Sequence, residues 1–405
     1  MPSRVVITGL GLTSSLGQNR EEVIQSFEGK RTAFVQSSQL PCIVCPDEDL
    51  GNDKASMQLQ GWRYRRYLSR AGYLGVLAGL RAVLDSGYAS LPQNTGIIGT
   101  AAPTLDFTRE QGLPPADSLD LDALWLLRWL PNTPVSALSI LLGVHGEGLT
   151  VGSACASGLM ALGEAWFRIR YGRMQTCLVV AGDSRLSLGG LLGYSKAHTI
   201  SSCQDPALAS RPFDQERSGF VPGEGGAAFL LEEREHALAR GACILCEILG
   251  YGASLDGASL TAPDPKGRYA EQAVRQCLET ASCTPLQVDW VSAHGTGTKA
   301  NDAAEAMMLK RLFFERKNGP AVTALKSWIG HCSAASGAVE LACLLCACSK
   351  GFLPPVLALD HPIAELGFVR KSAMPLPASS VGLVESFGFG GQNAALLMRA
   401  GNFTL

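Results

Sequence analysis

A chain of 405 residues with 46% hydrophobic and 17% charged residues can bury a large core, which excludes a disordered or fibrous protein. Its net charge of −2 gives no global attraction to nucleic acid or to a membrane surface, so we expect neither partner. Thirteen cysteines, an odd number behind no signal peptide, predict a reducing cytoplasm and no disulfide framework.

The first half of the chain predicts strands that alternate with helices. Apolar runs predict strands over residues 5–8, 95–100, 148–153 and 177–181. Apolar residues at helical spacing predict helices over residues 71–85 and 157–171, the first of which ends at the stop signal Ser86-Gly87.

The second half continues the alternation. We expect strands over residues 242–250, 289–292, 321–324, 381–386 and 393–398, and helices over residues 270–282, 302–314 and 335–349. Such alternation favours an α/β fold with buried sheets. The polar stretch 232–240 predicts a boundary between an N-terminal half, residues 1–240, and a C-terminal half, residues 241–405. No internal repeat is visible in the sequence, and we expect one compact unit of two half-domains.

Cys155 is a candidate nucleophile because it lies between a predicted strand and a predicted helix, after the small residues Gly152-Ser153-Ala154. Unpaired N–H groups at a helix N-terminus favour a thiolate. Small neighbours leave room for a substrate carbonyl, and a backbone N–H there can stabilise an oxyanion. The alternative is a buried structural cysteine, which is our interpretation of most of the other twelve.

Three cysteine pairs at C-x-x-C spacing raise the question of a metal site. They are Cys42 with Cys45, Cys243 with Cys246, and Cys343 with Cys346. Each pair encloses two apolar residues, whereas zinc ligands usually lie in tight polar turns. We therefore predict no metal and interpret these cysteines as small hydrophobic residues of the core.

Two of the six histidines follow predicted strands and have glycine neighbours. His294 lies in the run A-H-G-T-G-T over residues 293–298, and His331 ends the run K-S-W-I-G-H over residues 326–331. Strand ends with glycines suit exposed tips over a pocket. Without the cysteine, a structural role would remain an equal alternative for each of them.

Four motifs, in order along the chain, closely resemble those of the elongating β-ketoacyl-acyl-carrier-protein synthases of fatty-acid and polyketide synthesis. They are G-S-A-C-A-S-G at 152–158, A-H-G-T-G-T at 293–298, K-S-W-I-G-H at 326–331 and F-G-F-G-G-Q-N at 387–393. The resemblance runs the whole length of the chain. It implies the five-layered αβαβα thiolase fold, built from two similar half-domains, and a dimer that is either a homodimer or a heterodimer with a chain-length factor.

The resemblance also implies a ping-pong condensation that needs no cofactor beyond the phosphopantetheine of the acyl carrier protein. Cys155 would accept the acyl group, and His294 and His331 would stabilise the enolate that forms when malonyl carrier protein loses CO₂. The N–H groups of Cys155 and Phe389 would form the oxyanion hole, and the Phe389 ring would gate the malonyl side.

Further roles follow from the same motifs. Lys326 resembles the family lysine that holds the active-site network, and Glu305 matches its acidic partner. Thr296 and Thr298 would bind the pantetheine arm. Ala102 stands where fatty-acid enzymes often carry isoleucine, so we expect a deeper acyl pocket and specialised polyketide or polyene synthesis rather than ordinary fatty-acid synthesis.

The densest positive cluster consists of Arg63, Arg65 and Arg66. Carrier proteins are acidic, so this cluster predicts their docking site, although an ordinary solvated helix face is the alternative.

Other classes of protein are weighed by the residues that they require. A chain-length factor or a carrier-protein-binding module would not need Cys155, a degradative thiolase would carry a second cysteine near the C-terminus, and an initiating synthase would lack His331.

Overall fold

The computed structural model describes residues 2–101, 124–315 and 319–400. Within these ranges the strands are β1 Val5–Thr13, β2 Val35–Gln36, β3 Ile43–Val44, β4 Gly96–Thr100, β5 Gly148–Val151, β6 Thr176–Ser184, β7 Glu224–Glu233, β8 Cys246–Leu255, β9 Trp290–Ser292, β10 Ala321–Thr323, β11 Phe352–Leu353, β12 Met374–Pro375, β13 Val381–Gly388 and β14 Gln392–Ala400. The helices are α1 Arg20–Glu28, α2 Lys54–Gly61, α3 Arg70–Asp85, α4 Thr133–Leu142, α5 Ser157–Arg170, α6 Leu188–Lys196, α7 Arg234–Ala239, α8 Arg268–Thr280, α9 Lys299–Leu312, α10 Lys326–Ile329 and α11 Ser336–Ser349.

The two halves repeat one sheet topology. The N-terminal strands lie in the order β5-β4-β6-β7-β1 and the C-terminal strands in the order β10-β9-β13-β14-β8. When the five strands of each sheet are numbered by their order along the chain, both sheets have the spatial order 3-2-4-5-1. In both sheets the first three strands of this order are parallel to one another, and each of the last two pairs antiparallel with the strand before it. This confirms two similar half-domains, whereas the boundary between residues 240 and 241 stays a prediction.

Five layers result from how the helices cover these sheets. α5 and α11 lie between the two sheets, while α3 covers the outer face of the N-terminal sheet and α8 that of the C-terminal sheet. α11 is buried along almost its whole length, as a helix that is apolar on every side should be. The two sheets join where β1 pairs with β8 at Val5–Ile7. The predicted αβαβα architecture is thus confirmed.

Most predicted elements lie within a few residues of the observed ones, but β7 was missed. The polar stretch 232–240 is the end of β7 followed by α7, and it lies between the last strand of the N-terminal sheet and the first strand of the C-terminal sheet. The strand predicted over residues 242–250 begins later, at Cys246. The sequence does not predict β7, because glutamates at both of its ends and glycines at its start leave only a short apolar run. In the described part of the chain, no helix has the length and apolarity needed to cross a bilayer.

Candidate active site

Cys155 lies at the tip of a strained turn between β5 and α5. Ala154, which precedes it, has a φ of 46°, in the left-handed region that side chains disfavour. The Ser157 hydroxyl accepts a hydrogen bond from the Ser153 N–H at 2.8 Å and donates one to the Ala154 carbonyl at 2.7 Å. This clamp sets the half-buried thiol at the N-terminal end of α5, as the sequence predicted.

The hairpin between β13 and β14 holds Cys155 from the other half of the molecule. The Ser386 hydroxyl donates to the Cys155 carbonyl at 2.8 Å, and the Phe389 N–H is close enough to the Cys155 sulfur to lower the pKa of the thiol. Gly388 comes so close that a Cβ there would lie 2.9 Å from the Cys155 nitrogen. Glycine is therefore required at this position, and the Phe389 amide faces the nucleophile.

Burial raises the pKa of the Cys155 thiol to about 11, although the charges of Lys326 and Arg185 and the Phe389 N–H oppose the rise. The sequence-based expectation of a thiolate favoured by the helix N-terminus is thus countered by desolvation, which disfavours the charged form. A protonated thiol must lose its proton when it attacks an acyl thioester.

The two predicted histidines meet beside this thiol. His294 follows β9 and His331 follows α10, and both rings are buried. Their centroids are 5.6 Å apart with an interplanar angle of 84°. Cys155 and both histidines line one cavity of about 380 Å³. The structure therefore brings together residues that lie far apart in the sequence.

The contacts of the ring nitrogens assign the same tautomer to both histidines. The Lys326 ammonium, which can only donate, lies 3.2 Å from Nδ1 of His294. The Ser333 N–H donates to Nδ1 of His331 at 3.1 Å. Burial, together with the charge of Lys326, holds both imidazole pKa values well below 6.5. Each ring is therefore neutral and carries its proton on Nε2.

The acidic partner of Lys326 is Glu340, so the assignment of Glu305 to this role was wrong. Lys326 Nζ lies 2.6 Å from Oε1 of Glu340 on α11, and both side chains are buried. Glu305 instead accepts the N–H groups of His294 at 2.6 Å and Gly295 at 2.9 Å. Glu305 therefore fixes the turn that carries His294, whereas Glu340 is the carboxylate that pairs with Lys326. A lone glutamate in the otherwise apolar α11 was the available signal for Glu340.

Thr296 and Thr298 line the same cavity, with their hydroxyl oxygens 2.9 Å apart. Thr298 also caps α9, because its hydroxyl accepts the Asn301 N–H at 3.4 Å. The Thr298 hydroxyl thus caps the helix, and the side chains of both threonines face the cavity. Their role in pantetheine binding stays a prediction.

The predicted docking cluster is exposed. Arg63, Arg65 and Arg66 lie on a short 3-10 helix before α3, where Arg63 stacks on Tyr64. The guanidinium of Arg128, also exposed, donates to the Arg66 carbonyl at 3.2 Å. The structure therefore adds a fourth arginine to the basic surface.

The predicted pocket residue Ala102 lies outside the described residues, so its place in an acyl pocket stays a prediction.

A buried ion pair near the nucleophile was missed by the sequence analysis. Arg185 Nε donates to Oδ1 of Asp183 at 2.9 Å, and the Ala334 N–H donates to Oδ2 at 2.9 Å. Asp183 thereby joins the end of β6 to the segment just after His331. Two charged residues at the end of an apolar strand were the signal for this pair.

Two further cavity residues were also missed. The Tyr194 hydroxyl lies 2.6 Å from the Ser333 hydroxyl, and His198 has a φ of 55°. His198 is exposed and lines the cavity of Cys155. Nothing in its sequence neighbourhood sets it apart from the remaining histidines.

Comparison with known proteins identifies the family. Residues 2–237 match the family described as "Beta-ketoacyl synthase, N-terminal domain", and residues 245–360 match "Beta-ketoacyl synthase, C-terminal domain". The chain is 32% identical to a putative mitochondrial 3-oxoacyl-(acyl-carrier-protein) synthase of Schizosaccharomyces pombe, over 98% of this chain and 99% of that protein. It is 30% identical to 3-oxoacyl-(acyl-carrier-protein) synthase 2 of Vibrio cholerae, with the same coverage.

Solved structures agree with this identification. A beta-ketoacyl synthase from Burkholderia phymatum superposes with a TM-score of 0.88 at 28% identity, over 98% of this chain and 99% of that one. The ishigamide ketosynthase/chain length factor superposes with a TM-score of 0.88 at 27% identity, over 99% and 100%. The chain therefore belongs to the β-ketoacyl synthase family and is a condensing enzyme of the β-ketoacyl-acyl-carrier-protein synthase type.

Proposed function

We propose that Cys155 accepts an acyl group from a carrier-protein thioester and that this group then condenses with malonyl carrier protein. In the first half-reaction the Cys155 sulfur forms the new thioester, and its proton leaves with the pantetheine thiol. In the second, malonyl thioester loses CO₂ and the resulting enolate carbon attacks the Cys155 thioester. The bond between the acyl carbon and the Cys155 sulfur breaks, the β-ketoacyl carrier protein is released, and the Cys155 thiolate takes up a proton from solvent.

The observation that carries this proposal is the pair of Nε2–H donors beside one thiol. A developing enolate oxygen needs hydrogen-bond donors, and neutral imidazoles with the proton on Nε2 supply two. Because both rings are neutral, each can donate a hydrogen bond to the enolate oxygen without transferring its proton. We assign His294 and His331 to the malonyl thioester oxygen.

The tetrahedral intermediates on Cys155 also carry a negative oxygen. We assign their stabilisation to the N–H groups of Cys155 and Phe389, since the Phe389 amide already faces the sulfur. Thr296 and Thr298 would bind the pantetheine arm at the cavity wall. No cofactor takes part in this scheme, since the two carrier proteins supply both reacting groups.

We further propose that an acyl carrier protein docks on the exposed arginines that precede α3, and that the chain works as a dimer. Among the described residues, no strand pairs with one side of the edge strand β5, and its side chains are partly exposed, which is typical of a strand that pairs across an interface. The partner would be a second copy or a ketosynthase-like chain-length factor. The thirteen free cysteines support a reducing cytoplasmic location.

Specialised polyketide or polyene synthesis is our proposal for the pathway, with fatty-acid synthesis as the second candidate. It rests on Ala102, whose small side chain would leave an acyl pocket deeper than isoleucine would. Acylation rate against chain length, measured for the native chain and Ala102→Ile, tests it. A shorter preferred chain in the variant supports the proposal, whereas a native preference for short saturated chains would contradict it. A chain-length-factor-like role would leave Cys155 unacylated.

The reaction itself is tested by Cys155→Gln, in which the amide stands in for the acyl thioester. We expect this variant to release CO₂ from malonyl carrier protein without any acceptor and to form no condensed product. The matched control is Cys155→Gln combined with His331→Ala, which should release little CO₂. Condensation by Cys155→Gln would show that the nucleophile lies elsewhere.

A further inference from the structure

One carboxyl group lies in the apolar interior of the C-terminal half with no ordinary partner. Glu385 is on β13, on the same side of the sheet as Leu383 and Phe387, and both of these belong to the hydrophobic core there. The Glu385 side chain is fully buried. Neither of its oxygens accepts a hydrogen bond from any donor in the described part of the chain. An isolated ionised carboxylate would be very costly at such a position.

The groups that face Glu385 come from three neighbouring elements. α9 presents the Glu305 carboxyl within hydrogen-bonding reach, and Asp302 lies beyond it, 3.4 Å from the Arg217 guanidinium. α8 presents the Cys277 thiol. On β14 the register partner is the apolar Ala395. Among the described residues, no cation forms an ion pair with Glu385.

Glu305 has the opposite surroundings. Its two oxygens accept three N–H groups, from His294 at 2.6 Å, from Gly295 at 2.9 Å and from the Asn301 amide at 3.0 Å. Such a set of donors suits an ionised carboxylate. Two buried carboxylates side by side cannot both be ionised, so the single proton belongs to the one without donors.

We propose that Glu385 is a positioning residue that stays protonated and donates a hydrogen bond to Glu305, which in turn holds the turn of His294. The inference rests on the proposed role of His294 in decarboxylation. Burial, followed by the charge of Glu305, raises the pKa of Glu385 well above 4.5. This direction agrees with the finding that no donor in the described part of the chain reaches the oxygens of Glu385. The catalytic imidazole thus receives support from two carboxyl groups in series behind it.

Two substitutions separate this role from mere space filling. Glu385→Gln keeps a neutral donor of the same shape, whereas Glu385→Leu keeps the apolar packing and removes the donor. We expect decarboxylation of malonyl carrier protein to survive in the Gln variant and to fall about 100-fold in the Leu variant, as a misplaced catalytic group causes. At alkaline pH the native rate should fall as Glu385 loses its proton, and the Gln variant should resist that fall. Equal rates in the Leu variant and the native chain would overturn the proposal.

A second readout does not depend on the reaction. Because the folded state holds a proton on Glu385 that the unfolded chain gives up, native stability should fall with rising pH relative to Glu385→Gln. The ratio of the two unfolding equilibrium constants, native over variant, should rise about tenfold per pH unit between about pH 5 and 7. A ratio that stays constant would show that Glu385 is ionised in the fold and would overturn the proposal. A rising ratio in a chain that decarboxylates nothing would count against the proposed function alone.

Discussion

The Lys326 ammonium nitrogen lies 3.2 Å from Nδ1 of His294 and 2.6 Å from the carbonyl oxygen of the same residue. One buried cation thus fixes both the orientation and the tautomer of this imidazole. Glu340 balances the charge of the cation at 2.6 Å. The same ammonium also lowers the pKa of the Cys155 thiol against the effect of burial. Lys326 therefore affects both half-reactions.

Removing this cation should make Cys155 less reactive. Lys326→Met, combined with Glu340→Gln so that no buried charge is left alone, should raise the thiol pKa further and slow alkylation by iodoacetamide at about pH 8. In the native chain the rate should keep rising between about pH 7 and 9, because the thiol is protonated throughout. Mass spectrometry of the Cys155 peptide measures the alkylation rate of the double variant and the pH dependence of this rate in the native chain. Exposed Lys350→Met is the control, and a double variant as fast as the native chain would contradict the assignment.

The buried pair itself predicts a pattern of stability. Glu340→Leu leaves the Lys326 ammonium buried without its carboxylate, which should lower the free energy of unfolding by about 3–5 kcal/mol. Lys326→Met with Glu340→Leu removes both charges and should recover most of that loss. Urea unfolding of the single and double variants provides the comparison. Losses that simply add in the double variant would mean that the two side chains do not interact.

The histidines should matter more for decarboxylation than for acylation. His294→Ala and His331→Ala each remove one hydrogen bond to the enolate, which typically costs about 10²- to 10³-fold in rate. Single-turnover acylation of Cys155 should change less, and it is measured on the same preparations. The exposed His145→Ala serves as the control. Acylation that fell together with condensation would instead assign that histidine as the base for the thiol.

Short local patterns made the chemistry of this chain predictable. Cys155 lies where a strand meets a helix, and His294 and His331 follow short elements with glycines beside them. Each setting is encoded by consecutive residues, so the sequence alone could indicate it. The α/β class was predictable for the same reason, since alternating apolar runs reflect buried sheets.

What the sequence could not indicate depends on contacts between distant segments. Lys326 has two candidate acidic partners, and only the packing of α11 against the active site selects Glu340 over Glu305. The meeting of Glu305 with Glu385 likewise requires the fold to bring a residue of α9 beside a residue of β13. β7 was missed because its first residue, Glu224, pairs with Arg70 on α3 and Ser184 on β6, which a linear pattern does not reveal.

The basic surface before α3 should control binding of the carrier protein without affecting the chemistry. Arg65→Glu with Arg66→Glu should raise the apparent KM for carrier protein, and the effect should shrink at high salt because the charges are exposed. Turnover of a small acyl-pantetheine thioester should be unchanged. Arg275→Glu with Lys310→Glu, on the outer helices α8 and α9, is the charge-matched control. An equal loss with the small thioester would point to misfolding and contradict the docking role.

The central claim is that Cys155 carries the acyl group, and intact-protein mass spectrometry after incubation with acyl carrier protein tests it most directly. The native chain should gain the mass of one acyl group, which peptide mapping should place on Cys155. Cys155→Ala should remain folded, gain no mass and form no condensed product, because the variant loses one thiol and little packing. An acyl group carried by another residue, or condensation by Cys155→Ala, would contradict the account.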